Sequence, residues 1–173
     1  MRKILVIALL CFGFVAQAQI TSKEEVAPEL VEKRETQKKE ITKNYLALKN
    51  SFVLSDHSAV TTNALALKNA LVNFKFKKLT LVQMNAATTT RKEIIELATA
   101  IAAEKDINKQ RKTFETLSVK YWEQAAKYKA IDETLYLQVC PMTGAVWTSD
   151  SKDIKNPYYP KNMLTCGEVK ASL

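Results

Sequence analysis

From Ile41 onward, apolar residues recur at every third or fourth position. Ile41, Tyr45, Leu48 and Phe52 form one stripe, and Val60, Ala64, Leu67, Leu71 and Phe74 form a second. Because a helix turns once per 3.6 residues, each set falls on a single face. Ile94, Leu97, Ala98 and Ile101 make a third stripe. Ile107, Phe114, Leu117, Tyr121, Ala125 and Tyr128 make a fourth. Start signals lie between the stripes. Ser55-Asp56 offers a cap for the second helix, since a short oxygen side chain accepts from unpaired first-turn amides. Thr90-Arg91-Lys92-Glu93 has capping-box spacing and is read as opening the third helix, and Asp106 is read as capping the fourth. No glycine or proline occurs from Glu29 to Val139. Together these features predict an all-α fold, an antiparallel four-helix bundle over about Lys33 to Lys129 with short connections.

The pattern changes after Asp132. Leu135, Leu137 and Val139 alternate with Tyr136 and Gln138 in the manner of a short strand. Beyond them lie Cys140, Cys166, Gly144, Gly167, Pro141, Pro157 and Pro160. This predicts an irregular C-terminal segment with at most one small β-hairpin, held on the helices by Tyr136, Trp147, Tyr158 and Tyr159.

The opposite end reads differently. Met1-Arg2-Lys3 is basic, Ile4 to Val15 is nearly all apolar, and Ala16-Gln17-Ala18 has the small-x-small form of a cleavage site. Residues 1–18 are therefore expected to be a signal peptide, with Cys11 simply part of it. The apolar run is too short to span a bilayer and no other stretch approaches the length required, so the chain is expected to be exported, periplasmic or secreted, with no transmembrane segment after cleavage. Residues 19–33 are a charged arm containing Pro28, either frayed or continuous with the first helix. Residues 34–173 then suffice for one helical-bundle domain.

Composition narrows the function. The formal charge is +8, of which Arg2 and Lys3 leave with the leader. Lys38-Lys39 and Lys75-x-Lys77-Lys78 are the densest runs, and their intervals suit the solvated faces of helices better than an anion or membrane-surface patch. Export argues against a nucleic-acid partner. There is no His-x-x-x-His zinc pattern, no nucleophile elbow and no glycine-rich phosphate loop, so an enzyme is not expected.

The unusual chemistry is sulfur. Cys140 and Met142 are separated by one proline, and Met163 and Cys166 by two residues. An extended residue before Pro141 would put Cys140 and Met142 on the same side, and one helical turn would put Met163 and Cys166 on one face, ended by Gly167 in the left-handed conformation. Thiolates and thioethers select Cu(I) and similar soft ions, so Cys140, Met142, Met163 and Cys166 are candidate metal ligands. His57, beside the Ser55-Asp56 cap, is a lesser candidate and more naturally a surface residue. The competing reading is a structural Cys140–Cys166 disulfide, as expected of an exported protein with two mature cysteines, the methionines then being core filler. A reduced metal-binding form and an oxidised closed form could also interconvert.

Several of these residues carry a resemblance. Tyr136-x-Gln138-x-Cys140-Pro141-Met142, Trp147-x-Ser149-Asp150, Ile154-x-Asn156-Pro157-Tyr158-Tyr159 and Met163-Leu164-Thr165-Cys166-Gly167, with Tyr45-Leu46-Ala47-Leu48-Lys49 upstream, resemble a small exported helical domain of formerly unknown function. That domain occurs alone and as an appended domain on periplasmic adaptor subunits of copper and silver efflux pumps. The resemblance covers roughly Lys43 to Glu168. One departure is the short Thr143-Gly144-Ala145-Val146 link, where family members carry a longer, Gly-containing insert between the Met and the Trp. The resemblance implies copper association and a heavy-metal efflux component as partner. The resulting expectation is an exported accessory module binding Cu(I) in copper or heavy-metal efflux or resistance. The alternative is a structural or protein-interaction module, stapled by the disulfide and meeting a partner through Trp122, Tyr158 and Tyr159.

Overall fold

The computed structural model describes residues 28–173; the signal-peptide reading and the arm up to residue 27 lie outside the described residues. Four helices follow one another: α1 (Pro28–Leu54), α2 (His57–Asn73), α3 (Leu81–Ala103) and α4 (Ile107–Tyr128). Residues 28–33 of the charged arm thus form the opening turns of α1. Consecutive helices pack side by side, and α1 also touches α4.

The helix boundaries have local causes. Ser55 adopts a left-handed φ of 56°, and the amides of Ser55 and Asp56 bond back to Phe52 O and Ser51 O, which closes α1. The Asp56 carboxylate then accepts from the Ala59 amide and opens α2. The Asp106 carboxylate accepts from Asn108 N and Lys109 N at the start of α4, as expected. The third helix begins earlier than expected. Its capping box is Thr80 with Gln83, not Thr90 with Glu93, which lies inside α3. The reason is tertiary: Ala87, Ile94, Ala98 and Ile101 are all buried, and that packing carries the helix through Thr88-Thr89-Thr90 despite their low propensity.

The stripes become the core. Tyr45, Phe52, Leu67, Leu71, Ile94, Phe114, Leu117 and Tyr121 are fully buried. Tyr45 stacks on Tyr121 at 3.8 Å between ring centroids. Leu97 and Ile107 are only half-buried at the stripe margins.

The C-terminal region holds more strand than one hairpin. It forms a three-stranded antiparallel sheet of β1 (Tyr136–Val139), β2 (Val146–Ser149) and β3 (Glu168–Ser172), in the order β2-β1-β3. Every residue of β3 is exposed; Glu168-Val169-Lys170-Ala171-Ser172 does alternate polar and apolar positions, but the strand is short and was not expected from sequence. Strand β2 packs on α4. The Tyr45 hydroxyl ties α1 to both, donating to Ser118 Oγ at 2.9 Å and accepting from Thr148 N at 3.0 Å. Arg111 of α4 adds a clamp: its guanidinium donates to Pro157 O at 3.0 Å, Phe52 O at 3.0 Å and Ser55 Oγ at 2.8 Å. Among the described residues no helix is long and apolar enough to cross a membrane.

Candidate functional site

The sulfur residues sit where β1 turns into β2 and where the chain returns towards β3. Pro141 does not continue the extended strand. The amides of Thr143 and Gly144 both bond to Cys140 O, at 3.3 and 2.8 Å, and Cys140 N bonds to Ala145 O at 2.9 Å. The result is a tight turn in which Gly144 takes φ 74°, a conformation open to glycine. Consequently Cys140 is fully buried while Met142 is 75% exposed, and the two do not lie on one side as an extended segment would place them.

Met163 and Cys166 are brought by turns rather than by a helix. Met163 N bonds to Tyr159 O at 2.9 Å and Cys166 N to Met163 O at 3.0 Å. Asn156, fully buried, organises this loop: its side-chain amide donates to Cys166 O at 3.1 Å, while its Oδ1 accepts from Tyr158 N at 2.9 Å and Tyr159 N at 3.2 Å. Gly167 is needed for closeness and not for a left-handed turn. A Cβ there would lie 2.7 Å from Ile154 Cγ2 and 2.9 Å from Trp147 Cη2.

Under this loop lies Trp147, fully buried, whose indole N–H donates to Gln138 Oε1 at 2.6 Å. Gln138 in turn donates to Ser151 O and Asp153 O at 2.8 and 3.2 Å. Tyr158 is buried too, its hydroxyl donating to Val146 O at 2.6 Å. It belongs to the interior and does not form an exposed partner surface. Tyr159 is exposed and Trp122 half-buried.

These supports place Cys140 Sγ and Cys166 Sγ 3.5 Å apart, both as free thiols. Burial raises the Cys140 thiol, but the Thr143 hydroxyl, the Cys166 thiol and the amides of Met142 and Thr143 outweigh it, and the thiol ends below its ordinary value. Cys166 moves the other way. Its hydrogen bond to Cys140 raises it most, followed by burial and the charge on Cys140. Of the two thiols, Cys140 is therefore the first to ionise.

Met163 is half-buried beside this pair in sequence, and Met142 stands out into solvent. Neither is buried as core filler. His57 is exposed at the start of α2, its Nδ1 paired with Gln110 Oε1 at 3.1 Å. Among the described residues no three His, Cys, Asp or Glu side chains gather as a metal cluster. Gln138 and Asn156 stand in the motifs that carry the resemblance, but their hydrogen-bonding roles are not legible in sequence, beyond Asn156-Pro157 being a turn signal.

A family described as "Protein of unknown function (DUF3347)" matches residues 41–133. The chain belongs to this family. The matched span runs from Ile41 in α1 through α4 to Glu133, so what this DUF3347 chain shares with the family is the helical bundle, and the cysteine pair falls beyond it. Neither the curated proteins nor the solved structures contain a match to this chain.

Proposed function

We propose that this DUF3347 chain is an exported accessory module that binds a soft metal ion, Cu(I), and serves copper or heavy-metal resistance beside an efflux system. One observation supports it most: two free thiol sulfurs 3.5 Å apart, with Cys140 held towards the thiolate. At a metal–thiolate distance of about 2.3 Å, two sulfurs of a tetrahedral site lie about 3.8 Å apart, so the pair needs little movement to share an ion. The donor set also fits. Two thiolates without a third cysteine, histidine or carboxylate make a poor zinc site, whereas added thioethers suit Cu(I). Met142 and Met163 would supply them from the two flanking turns. The test is competition against a Cu(I) chelator under strict reduction. Wild type should hold one Cu(I), the double variant Met142→Leu/Met163→Leu should hold it less tightly, and Cys140→Ser should not hold it. Equal competition by wild type and the double variant removes the methionines from the site; no competition by wild type removes the metal.

A second reading is supported by the same closeness. Cys140 and Cys166, 26 positions apart, could close as a disulfide with stabilisation of about 3 to 4 kcal/mol on the chain-entropy model. The module would then be structural, with Tyr159 and Trp122 available to a partner. A free-thiol count on protein isolated without reductant separates the two: two free thiols favour the metal site, none the staple.

A further inference from the structure

The antiparallel order brings the start of α1, the end of α2, the link into α3 and the end of α4 to one end of the bundle. A cleft of about 170 Å³ lies there, lined by Arg34 and Lys38 of α1, Lys77 of the link and Lys127 of α4, with Phe74 and Phe76 at its apolar wall. These four cations are spread from Arg34 to Lys127 in the sequence and meet only in the fold. No carboxylate lines the cleft. Lys38 bridges Glu35 at 2.9 Å, but among the described residues Arg34, Lys77 and Lys127 make no ion pair. The nearby Asp132 is itself taken by Lys39 at 2.7 Å.

Beside this basic cleft stand apolar side chains in open water. Leu81 is 76%, Val82 79% and Ile131 88% exposed, and Leu30 and Val31 project one turn before Arg34. Single exposed apolar residues are ordinary, but here they flank a cleft whose own lining is cationic, with the neighbouring carboxylates of Glu35 and Asp132 paired to Lys38 and Lys39. The other end of the bundle contrasts with this. Its cleft is lined by Lys161 and by Arg111, whose guanidinium is occupied by the carbonyls of Pro157 and Phe52, and among the described residues no cluster of exposed Leu, Val and Ile side chains flanks it. The cleft between Arg34, Lys77 and Lys127 is small and rimmed by cations, of a size for one phosphate headgroup.

We infer that this end of the molecule docks on an anionic lipid surface, with the cations on the headgroups and Leu81, Val82 and Ile131 entering the acyl boundary. The inference stands apart from the sulfur site. Co-sedimentation of the full chain with phosphatidylglycerol/phosphatidylcholine vesicles and with pure phosphatidylcholine vesicles tests it. Binding should require the anionic lipid and fall with salt. Arg34→Gln, Lys77→Gln and Lys127→Gln should each weaken it about fivefold, and the triple variant about a hundredfold. Because all variants keep the same N-terminus, the difference between them reports this end alone. A Leu81→Trp variant should have its emission quenched by brominated-lipid vesicles, which places the contact independently. Equal binding to both vesicle types, binding unchanged in the triple variant, or no quenching at position 81 overturns the inference. Capture of inorganic phosphate by the same three cations without vesicle binding also overturns it, assigning the cleft to a free oxyanion.

Discussion

Cys140 has no contact with solvent, yet its thiol ionises before that of Cys166, because four donors converge on its sulfur and outweigh the cost of burial. In a titration followed by thiolate absorbance, the pair should release one proton below the ordinary thiol range of about 8.5 and the second above it. Thr143→Val removes one donor and should move the first step upward. The sign carries into stability. With a folded value below the unfolded one, the Cys140 contribution is present above the unfolded thiol value and is lost as pH falls through the folded value. The two glycines of the segment should respond differently to alanine. Gly144 has open space around it but φ 74°, so Gly144→Ala should cost about 1 to 2 kcal/mol of backbone strain. Gly167→Ala should cost about 1 to 3 kcal/mol by overpacking against Trp147 and Ile154. Denaturant melts decide both, and relief of the second by Ile154→Ala would identify its cause. Sequence assigned the left-handed conformation to Gly167, but Gly144 is the one that takes it; the neighbours that separate their roles come from elsewhere in the chain.

Among the elements, the helices were the most legible. Ile41, Tyr45, Leu48, Phe52, Leu67, Leu71, Phe114 and Leu117 are all buried, as their spacing implied. Leu71→Ala and Leu117→Ala should each destabilise by about 2 to 5 kcal/mol in equilibrium unfolding. The start of α3 was not legible, since two Thr-x-x-Gln/Glu patterns compete and only packing of Ala87 against the core selects the earlier. Strand β1 is where alternation expected it, but its one buried position is polar: Gln138 is fully buried because the Trp147 indole and two backbone carbonyls bond its amide. Gln138→Leu should therefore destabilise by about 1 to 3 kcal/mol per polar group left unpaired, although it adds an apolar side chain to the interior. If its melting midpoint matched wild type, the network would have no structural weight.

For the molecule as a whole, the open question is whether the bundle and the small sheet unfold together. Tyr45 and Arg111 both reach from the helices into the C-terminal segment, so one cooperative transition is expected. In a Trp122→Phe background, Trp147 emission should report the sheet while far-ultraviolet circular dichroism reports the helices, and the two curves should coincide. Arg111→Ala removes the clamp at Pro157, Phe52 and Ser55; its fluorescence transition should then come at lower denaturant than the helical one. By itself, the sequence determined the helical class and the apolar faces of the helices. These follow from contacts three and four residues apart, and the described chain is 61% helical with four helices. It also singled out Cys140, Met142, Met163 and Cys166 by composition. What it could not determine depends on residues far apart in the chain. The third strand was not expected from its five-residue alternation and is defined by its pairing with β1. Burial of Cys140 and exposure of Met142 follow from a turn closed by Gly144. The 3.5 Å approach of the two sulfurs follows from Asn156, which holds the Cys166 carbonyl, and from Gly167, which lets the chain lie against Trp147 and Ile154. The meeting of Arg34, Lys77 and Lys127 follows from helix direction alone. Local spacing decides which face of an element is apolar; only the closed chain decides what that face, or its charged end, will meet.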